Sequence, residues 1–379
     1  MAIVTRYFST TGAGAADGTT WADRAALFSA GNWSTVITGF DFGGADSMLA
    51  LIEGGLTYTC SQTLQAATFS VAQPTAANNL VLHGCNSSGT ILEPPDPDWT
   101  SDQPAFSDAT LPIIPITTNI HAVNQAYIFP RLIKFTGSGN TTNPVAGGNI
   151  SHHDWCIIVN STSNTNAKAV ETNSTLTNCV VEMTGTSYLF AVGVQTMHNC
   201  RVIGNISASS GNRNGWAPTS ASPFAYNCTF YDHPASQIAP SSTSTAFSLN
   251  LGRCTVDGAG SSGSCVLLPS TASQAQVARI FNSVFVNSGA FGINAQSAAR
   301  VFAVQNRLRD NTSGNFGGFL NHISTETNYT TDAADADDFV DAASGDYRIK
   351  NTAAIWGKGY GVSDQPPAGG STRGYIIGG

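Results

Sequence analysis

Short apolar runs alternate with polar segments along most of the chain, and one phrase recurs where they meet: a polar residue, usually Asn, then Cys, then an apolar run. It reads Asn178-Cys179-Val180-Val181, Asn199-Cys200-Arg201-Val202 and Asn227-Cys228-Thr229-Phe230. Variants are Trp155-Cys156-Ile157-Ile158-Val159 and Arg253-Cys254-Thr255-Val256. A copy without Cys follows at Asn282-Ser283-Val284-Phe285-Val286, and a faint one at Gln305-Asn306-Arg307-Leu308. Measured at the second residue of the phrase, successive copies lie 23, 21, 28, 26, 29 and 23 residues apart. A period of roughly 20–30 residues built on one short strand predicts a solenoid whose turns bury their faces only against their neighbours. Short β-branched runs, Gly/Ser/Thr-rich corners and the lack of long helical periods predict a parallel β-helix.

The flanks extend this pattern. Met48 to Ile52, Leu80 to Cys85, Ile113 to Ile116, Tyr127 to Phe129 and Leu132 to Phe135 read as further rungs. At about 4.8 Å per turn, eleven or twelve coils give a rod on the order of 55 Å long. Three regions are expected: an N-terminal cap over 1–44, the β-helix over 45–330, and a C-terminal closing motif with an extended tail over 331–379. Trp21, Ala25 and Phe28 have amphipathic helical spacing, so a short helix over Trp21 to Phe28 is expected to cover the first coil and protect its edge. The Pro- and Asp-rich stretch from Glu93 to Thr110 reads as an excursion. Loops such as Ser207 to Ser222 and Ala235 to Thr245 lengthen single coils.

Composition agrees with a durable stack. Charged residues make up 11% of 379, far below the roughly 25% of an ordinary domain, and 38 Gly with abundant Ser, Thr and Asn take their place. The net charge is −8 and the 16 basic residues form no run, which argues against nucleic acid as a partner. No apolar stretch approaches the ~18 residues of a spanning helix, so no membrane insertion is expected. Met1 to Tyr7 lacks a basic segment followed by an apolar one, so no secretory signal is expected; the chain reads as made in a host cytoplasm, and Asn-x-Ser/Thr matches are not taken as glycan sites.

Five of the eight cysteines share one phase of the repeat. Stacked neighbours point the same way, which suits neither disulfide torsion nor convergence on a metal. Cys156, Cys179, Cys200, Cys228 and Cys254, continued by Ser283, are therefore expected to form an inward ladder of free thiols that act as small hydrophobes. No cofactor and no metal are expected.

Both ends carry a resemblance. Tyr7, Gly12, Asp17-Gly18 and Trp21 resemble the N-terminal cap of pectate-lyase-like right-handed β-helix proteins. Asp337-Asp338-Phe339-Val340-Asp341 through Gly345-Asp346-Tyr347-Arg348-Ile349-Lys350, with Ala354-Ile355 and Gly357, resembles the closing motif of the same group; Asp338 departs from it slightly. The resemblance implies an all-β, single-stranded, right-handed parallel β-helix. For function it implies little, because lyases, glycosidases and non-catalytic virion spikes share that architecture.

A lyase of this type would gather Asp residues around Ca²⁺, and a hydrolase needs two carboxylates roughly 5–10 Å apart. Between Cys156 and Ile323 acidic residues are sparse, and the best pair is Asp232 with Asp257, each shortly after its Cys and assisted by His233. His152-His153-Asp154 must alternate faces on a strand and so cannot converge on one ion. The Asp332 to Asp341 group reads as a solvated turn. Arg348-Ile349-Lys350 resembles a glycosidase substrate-binding tripeptide but belongs to the closing motif. Trp216, in a long loop, is the best candidate for stacking on a sugar.

The leading expectation is a non-enzymatic virion protein: a capsid decoration, head spike or tail fibre of a bacteriophage-like particle. It would form a homotrimer, attach to capsid or tail proteins and contact host surface glycan. The competing expectation is a polysaccharide lyase or glycoside hydrolase acting on that glycan, with Asp232, Asp257 and His233 as its catalytic residues.

Overall fold

The computed structural model describes residues 2–44, 46–93, 110–116, 122–138, 145–146, 151–171, 174–208, 213–219, 222–240, 247–268, 277–296, 300–318, 323–324, 339–341 and 346–350. Most of the Glu93 to Thr110 excursion, parts of the 207–222 and 235–245 loops, the Asp332 to Asp338 group and the tail from 351 lie outside them.

The chain is a right-handed parallel β-helix with three faces. The first is a 13-stranded sheet. Beyond the edge strand Ala25–Ala26 it runs through twelve rungs in chain order, from Ile3–Ser9, Ser47–Glu53 and Leu80–Cys85 to Arg300–Val304 and Ile323–Ser324. The second is a nine-stranded sheet from Ile113–Ile116 to Arg307–Arg309. The third begins with Val145–Ala146, Val170–Glu171, Phe190–Val192 and Asn214–Trp216. Ile238 bridges it to Val266–Leu268, Phe291–Ala295 and Gly314–Gly318. Inward residues of each face stack in register. Val181, Val202, Phe230, Val256, Phe285 and Leu308 form one such buried column on the second sheet. Each column fills the core only because the next coil covers it.

The recurring phrase is the corner between the first and second sheets. Leu132, Trp155, Asn178, Asn199, Asn227, Arg253, Asn282 and Gln305 all have φ between 51° and 54°. This left-handed backbone turns the chain within two residues, and Asn tolerates it better than other side-chain-bearing residues do. The asparagines also stack. Asn178 Nδ2 donates to Asp154 Oδ1 at 3.1 Å, Asn199 Nδ2 to Asn178 Oδ1 at 3.1 Å, and Asn227 Nδ2 to Asn199 Oδ1 at 2.8 Å.

The following residue is the thiol ladder, and it does more than fill space. All eight cysteines are free and buried. Cys156 N–H donates to Cys179 Sγ at 3.4 Å, and Cys200 N–H to Cys228 Sγ at 3.5 Å. Further on, Cys254 N–H donates to Ser283 Oγ at 3.0 Å, and Ser283 N–H to Asn306 Oδ1 at 2.9 Å. Each side chain thus accepts the corner amide of the preceding coil. That explains why Ser and Asn continue a column begun by Cys: the position needs an acceptor, and sulfur is a weak one.

One expectation is corrected. Trp21 to Phe28 is not a helix. Ala25–Ala26 pairs with Phe8 and Ser9 as a parallel edge strand, and Phe28–Ser29 pairs antiparallel with Asn32–Trp33. Eight residues are too few to nucleate a helix without packing, and the open edge of the first rung offers backbone partners instead. Among the described residues the α-helix is confined to Thr35–Thr38, capped by the Ser34 hydroxyl.

The C-terminal segment packs sideways. Phe339–Asp341 and Asp346–Ile349 form an antiparallel pair on the outer face of the second sheet. Phe339, Tyr347 and Ile349 bury themselves there against Tyr231, Val284 and Val286.

Candidate functional site

The outer face of the second sheet holds the acidic pair chosen from the sequence. Thr229 and Phe230 pair with Thr255 and Val256, so Tyr231 and Asp257 are neighbours one position further on, with Asp232 next along the chain. The fold thus brings Asp232 and Asp257 to adjacent coils. Their environments differ. Asp257 is 3% exposed and held by three hydrogen bonds: Oδ1 accepts from Ala259 N–H at 2.9 Å and Asn287 Nδ2 at 3.1 Å, and Oδ2 accepts from Tyr347 O–H at 2.9 Å. Asp232 is half-buried with φ at 62°; burial first, and then the charge of Asp257, raises its carboxyl above the ordinary range.

Aromatic and basic groups close around the pair. Tyr347 lies 5.0 Å from Tyr231 and 5.2 Å from Phe339, ring to ring. Arg201 Nη2 donates to Tyr231 Oη at 2.6 Å, with its guanidinium 5.7 Å from that ring's centre. Burial pushes the Tyr347 hydroxyl far above its usual range, so it stays a neutral donor to the carboxylate. The sequence showed Tyr347 only as part of a closing motif; nothing local signals that its partner is a carboxylate three coils' worth of chain away.

The other candidates are not at this surface. His233 is completely buried and points inward, where Nδ1 meets the Tyr188 hydroxyl at 3.0 Å and Nε2 lies 3.4 Å from the Val202 carbonyl. Gly204 and Gly215 leave it room: a Cβ on either would come within 2.5 Å and 2.7 Å of the ring. Burial lowers its pKa to about 3, so it is neutral, and this geometry gives it no proton to exchange with Asp232 or Asp257.

Trp216 is a second correction. It is 0% exposed, lies in the strand Asn214–Trp216, stacks 6.0 Å from Phe230, and donates Nε1–H to the Val194 carbonyl at 2.9 Å. A large apolar ring with one donor is most stable inside once that donor is satisfied, so Trp216 anchors the core and cannot stack on a sugar. In the His152–Asp154 strand the faces alternate. His153 is buried, His152 meets Thr177 Oγ1 at 2.8 Å, and Asp154 pairs with Arg131 at 3.2 Å.

Among the described residues no three His, Cys, Asp or Glu side chains gather as a metal site, so these residues do not fit the Ca²⁺ set that the lyase resemblance implies. Two hollows near the N-terminal end measure about 320 Å³, beside Phe28 and Tyr58, and about 540 Å³, beside Trp33; neither contains a carboxylate. Among the described residues no helix is long and apolar enough to cross a membrane.

These features define the chain as a right-handed parallel β-helix. No family model and no curated protein matches it. Among solved structures, pectate lyase Pel9A superposes with a TM-score of 0.52 at 12% identity, over 94% of this chain and 90% of that chain. At that identity the likeness is one of fold.

Proposed function

We propose that this protein is a non-enzymatic structural β-helix of the decoration, spike or fibre kind on a bacteriophage-like particle, assembled as a homotrimer on capsid or tail proteins and facing host surface glycan. One observation carries this reading: of the two carboxylates brought to adjacent coils, Asp257 is buried, accepts hydrogen bonds from Tyr347, Asn287 and Ala259, and tethers the C-terminal hairpin. A carboxylate so buried, with both oxygens hydrogen-bonded, serves the scaffold. The low charge and stacked Asn and Cys corners suit a long-lived rod. Mass spectrometry of purified particles tests the proposal: the protein is expected in stoichiometric copy number, and its absence from particles overturns the reading. Sedimentation analysis of the purified chain tests the trimer.

Asp232 favours a second reading, a polysaccharide lyase or glycoside hydrolase. A half-exposed carboxyl in left-handed backbone, with a raised pKa, can donate a proton. The fold's likeness to a pectate lyase is compatible with it. It predicts oligosaccharide release from host glycan that Asp232→Asn abolishes; release that persists in this variant removes Asp232 from any mechanism.

A further inference from the structure

The outward positions of the first sheet change character over its C-terminal half. From Thr196–His198 through Phe224–Tyr226, Ser248–Gly252 and Val277–Phe281 to Arg300–Val304, they contain no Asp, Glu or Lys. In one column Phe224, Asn250, Arg279 and Phe302 follow each other in register, and in the next His198, Tyr226, Gly252, Phe281 and Val304. Among the described residues seven large apolar side chains stand out as exposed, and three of them, Phe281, Phe302 and Val304, sit together on the last two of these rungs. Arg279 and Arg300 are exposed beside them, and Arg279 donates to Ser248 Oγ at 2.6 Å. Gly252 lets the rings close up: a Cβ there would lie 2.6 Å from the Phe281 ring and 2.9 Å from Tyr226. Scattered apolar residues on a surface need no explanation, but a cluster does. Aromatic residues and Arg without Lys, Asp or Glu are the composition of a protein–protein interface.

The opposite charge lies at another corner of the same coils. Asp232, Asn287 and Asp310 follow the stacked positions Thr229, Val284 and Arg307 by the same offset, in left-handed backbone with φ of 62°, 59° and 53°. There the chain leaves the second sheet for the third. Asp310 is exposed and pairs with Arg309, and Asp232 is half-buried. Asp232 belongs to the coil that holds Phe224–Tyr226, and Asp310 to the coil that holds Arg300–Val304. The basic, aromatic face and the acidic corner therefore lie level with each other along the rod, to within one rung spacing of about 4.8 Å.

We propose that this face packs against the Asp232–Asp310 corner of a second copy of the chain, side by side along the rod. Rotation about an axis parallel to the rod keeps each coil at its own height, so Arg300 of one copy comes level with Asp310 of the next. Phe281, Phe302 and Val304 leave water in that contact, and Arg279 and Arg300 meet a chain whose net charge is −8. The charge distribution also selects the symmetry. A twofold contact would lay this face on itself and set Arg279 and Arg300 against their own copies. A heterologous contact, face to corner, pairs opposite charges and closes into a ring. The inference rests on the homotrimer in the proposed function and names the two surfaces that close it.

Sedimentation velocity of the full chain over a range of protein and salt concentrations tests it. The parent is expected to be a trimer that added salt weakens. Arg300→Glu and Asp310→Arg should each weaken assembly by about tenfold. The double variant should recover most of that loss, because it restores the pair with its signs exchanged. Phe302→Ala should also weaken assembly by about tenfold, with no dependence on salt. Far-ultraviolet circular dichroism of every variant should match the parent's, since these side chains are exposed and the coil does not need them. A trimer that Arg300→Glu and Phe302→Ala both leave intact overturns the inference while the trimer itself stands. A double variant no better assembled than its single parents overturns the pairing of face with corner. A parent that stays monomeric at every concentration overturns the inference and the trimer together.

Discussion

The Tyr347 hydroxyl donates to Asp257 Oδ2 at 2.9 Å, joining positions 90 residues apart. This bond ties the C-terminal hairpin to the side of the coil. Tyr347→Phe leaves a buried carboxylate oxygen without its donor and is expected to cost about 1–3 kcal/mol. Asp257→Asn should cost a similar amount, and the double variant less than the sum. Urea unfolding measures the loss, and limited proteolysis around 339–350 shows whether the hairpin detaches first. Unchanged midpoints would mean that Phe339, Ile349 and the Tyr347 ring suffice to hold it.

The asparagine stack is interrupted at Arg253. Asn227 Oδ1 and Asn282 Oδ1 are buried without a hydrogen-bond partner, and Arg253 sits between them with φ at 51°. Arg253→Asn supplies a residue that suits left-handed backbone and an amide that can reach Asn227. It is expected to stabilise by about 1 kcal/mol, seen as a higher melting temperature. In the intact stack, Asn199→Ala should cost about 2–3 kcal/mol, from left-handed strain plus two lost side-chain bonds, and Asn199→Gly less.

Acid should weaken the fold through two inward histidines. Burial holds His153 and His233 at about 3, against 6.5 when unfolded. Between these values the unfolded chain binds protons that the folded chain does not. Stability is therefore full above pH 6.5 and falls as pH drops toward 3, by up to about 1.4 kcal/mol per pH unit for each histidine. Asp232 has the opposite sign: its raised pKa favours the folded state below 3.8, and this is lost as pH rises through the folded value. Neither ring nitrogen of His153 has a partner, so His153→Leu should leave neutral stability intact or improved and flatten the acid limb. Urea midpoints from pH 7 to 5 decide; an unchanged slope in His153→Leu would mean that this ring does not control it.

The thiols should be silent in the native rod. Burial pushes Cys60 and Cys85 up to about 12 and the stacked Cys156, Cys179, Cys200 and Cys228 well above 9. A thiol reagent at pH 8 is expected to label none of the eight before denaturation and all of them after it. Rapid labelling of the folded protein would contradict the closed corner geometry.

The phrase from Trp155-Cys156 to Gln305-Asn306 was legible in the sequence because each corner makes the same local demand: left-handed backbone, then an inward acceptor, then a strand. Repetition turns that local rule into the whole architecture, with its rungs and its buried column. Its earlier copy, Leu132-Ile133, obeys the same geometry without Asn or Cys, and only the backbone reveals it. Trp216 and the Trp21 to Phe28 segment were misread for a shared reason. Local spacing does not say whether a polar-flanked ring faces the core, or whether a short amphipathic stretch finds a strand edge first.

The sequence by itself determined the repeat, the parallel β-helix, the free thiols and the adjacency of Asp232 and Asp257, since these follow from register between neighbouring coils. Tertiary structure alone decided that Tyr347 returns to bury Asp257, that His233 turns inward, and that Phe224, Arg279 and Phe302 share one acid-free face. Those relationships join residues from distant turns or depend on which side of a strand meets water. Burial and long-range packing settle both, and no local pattern encodes them.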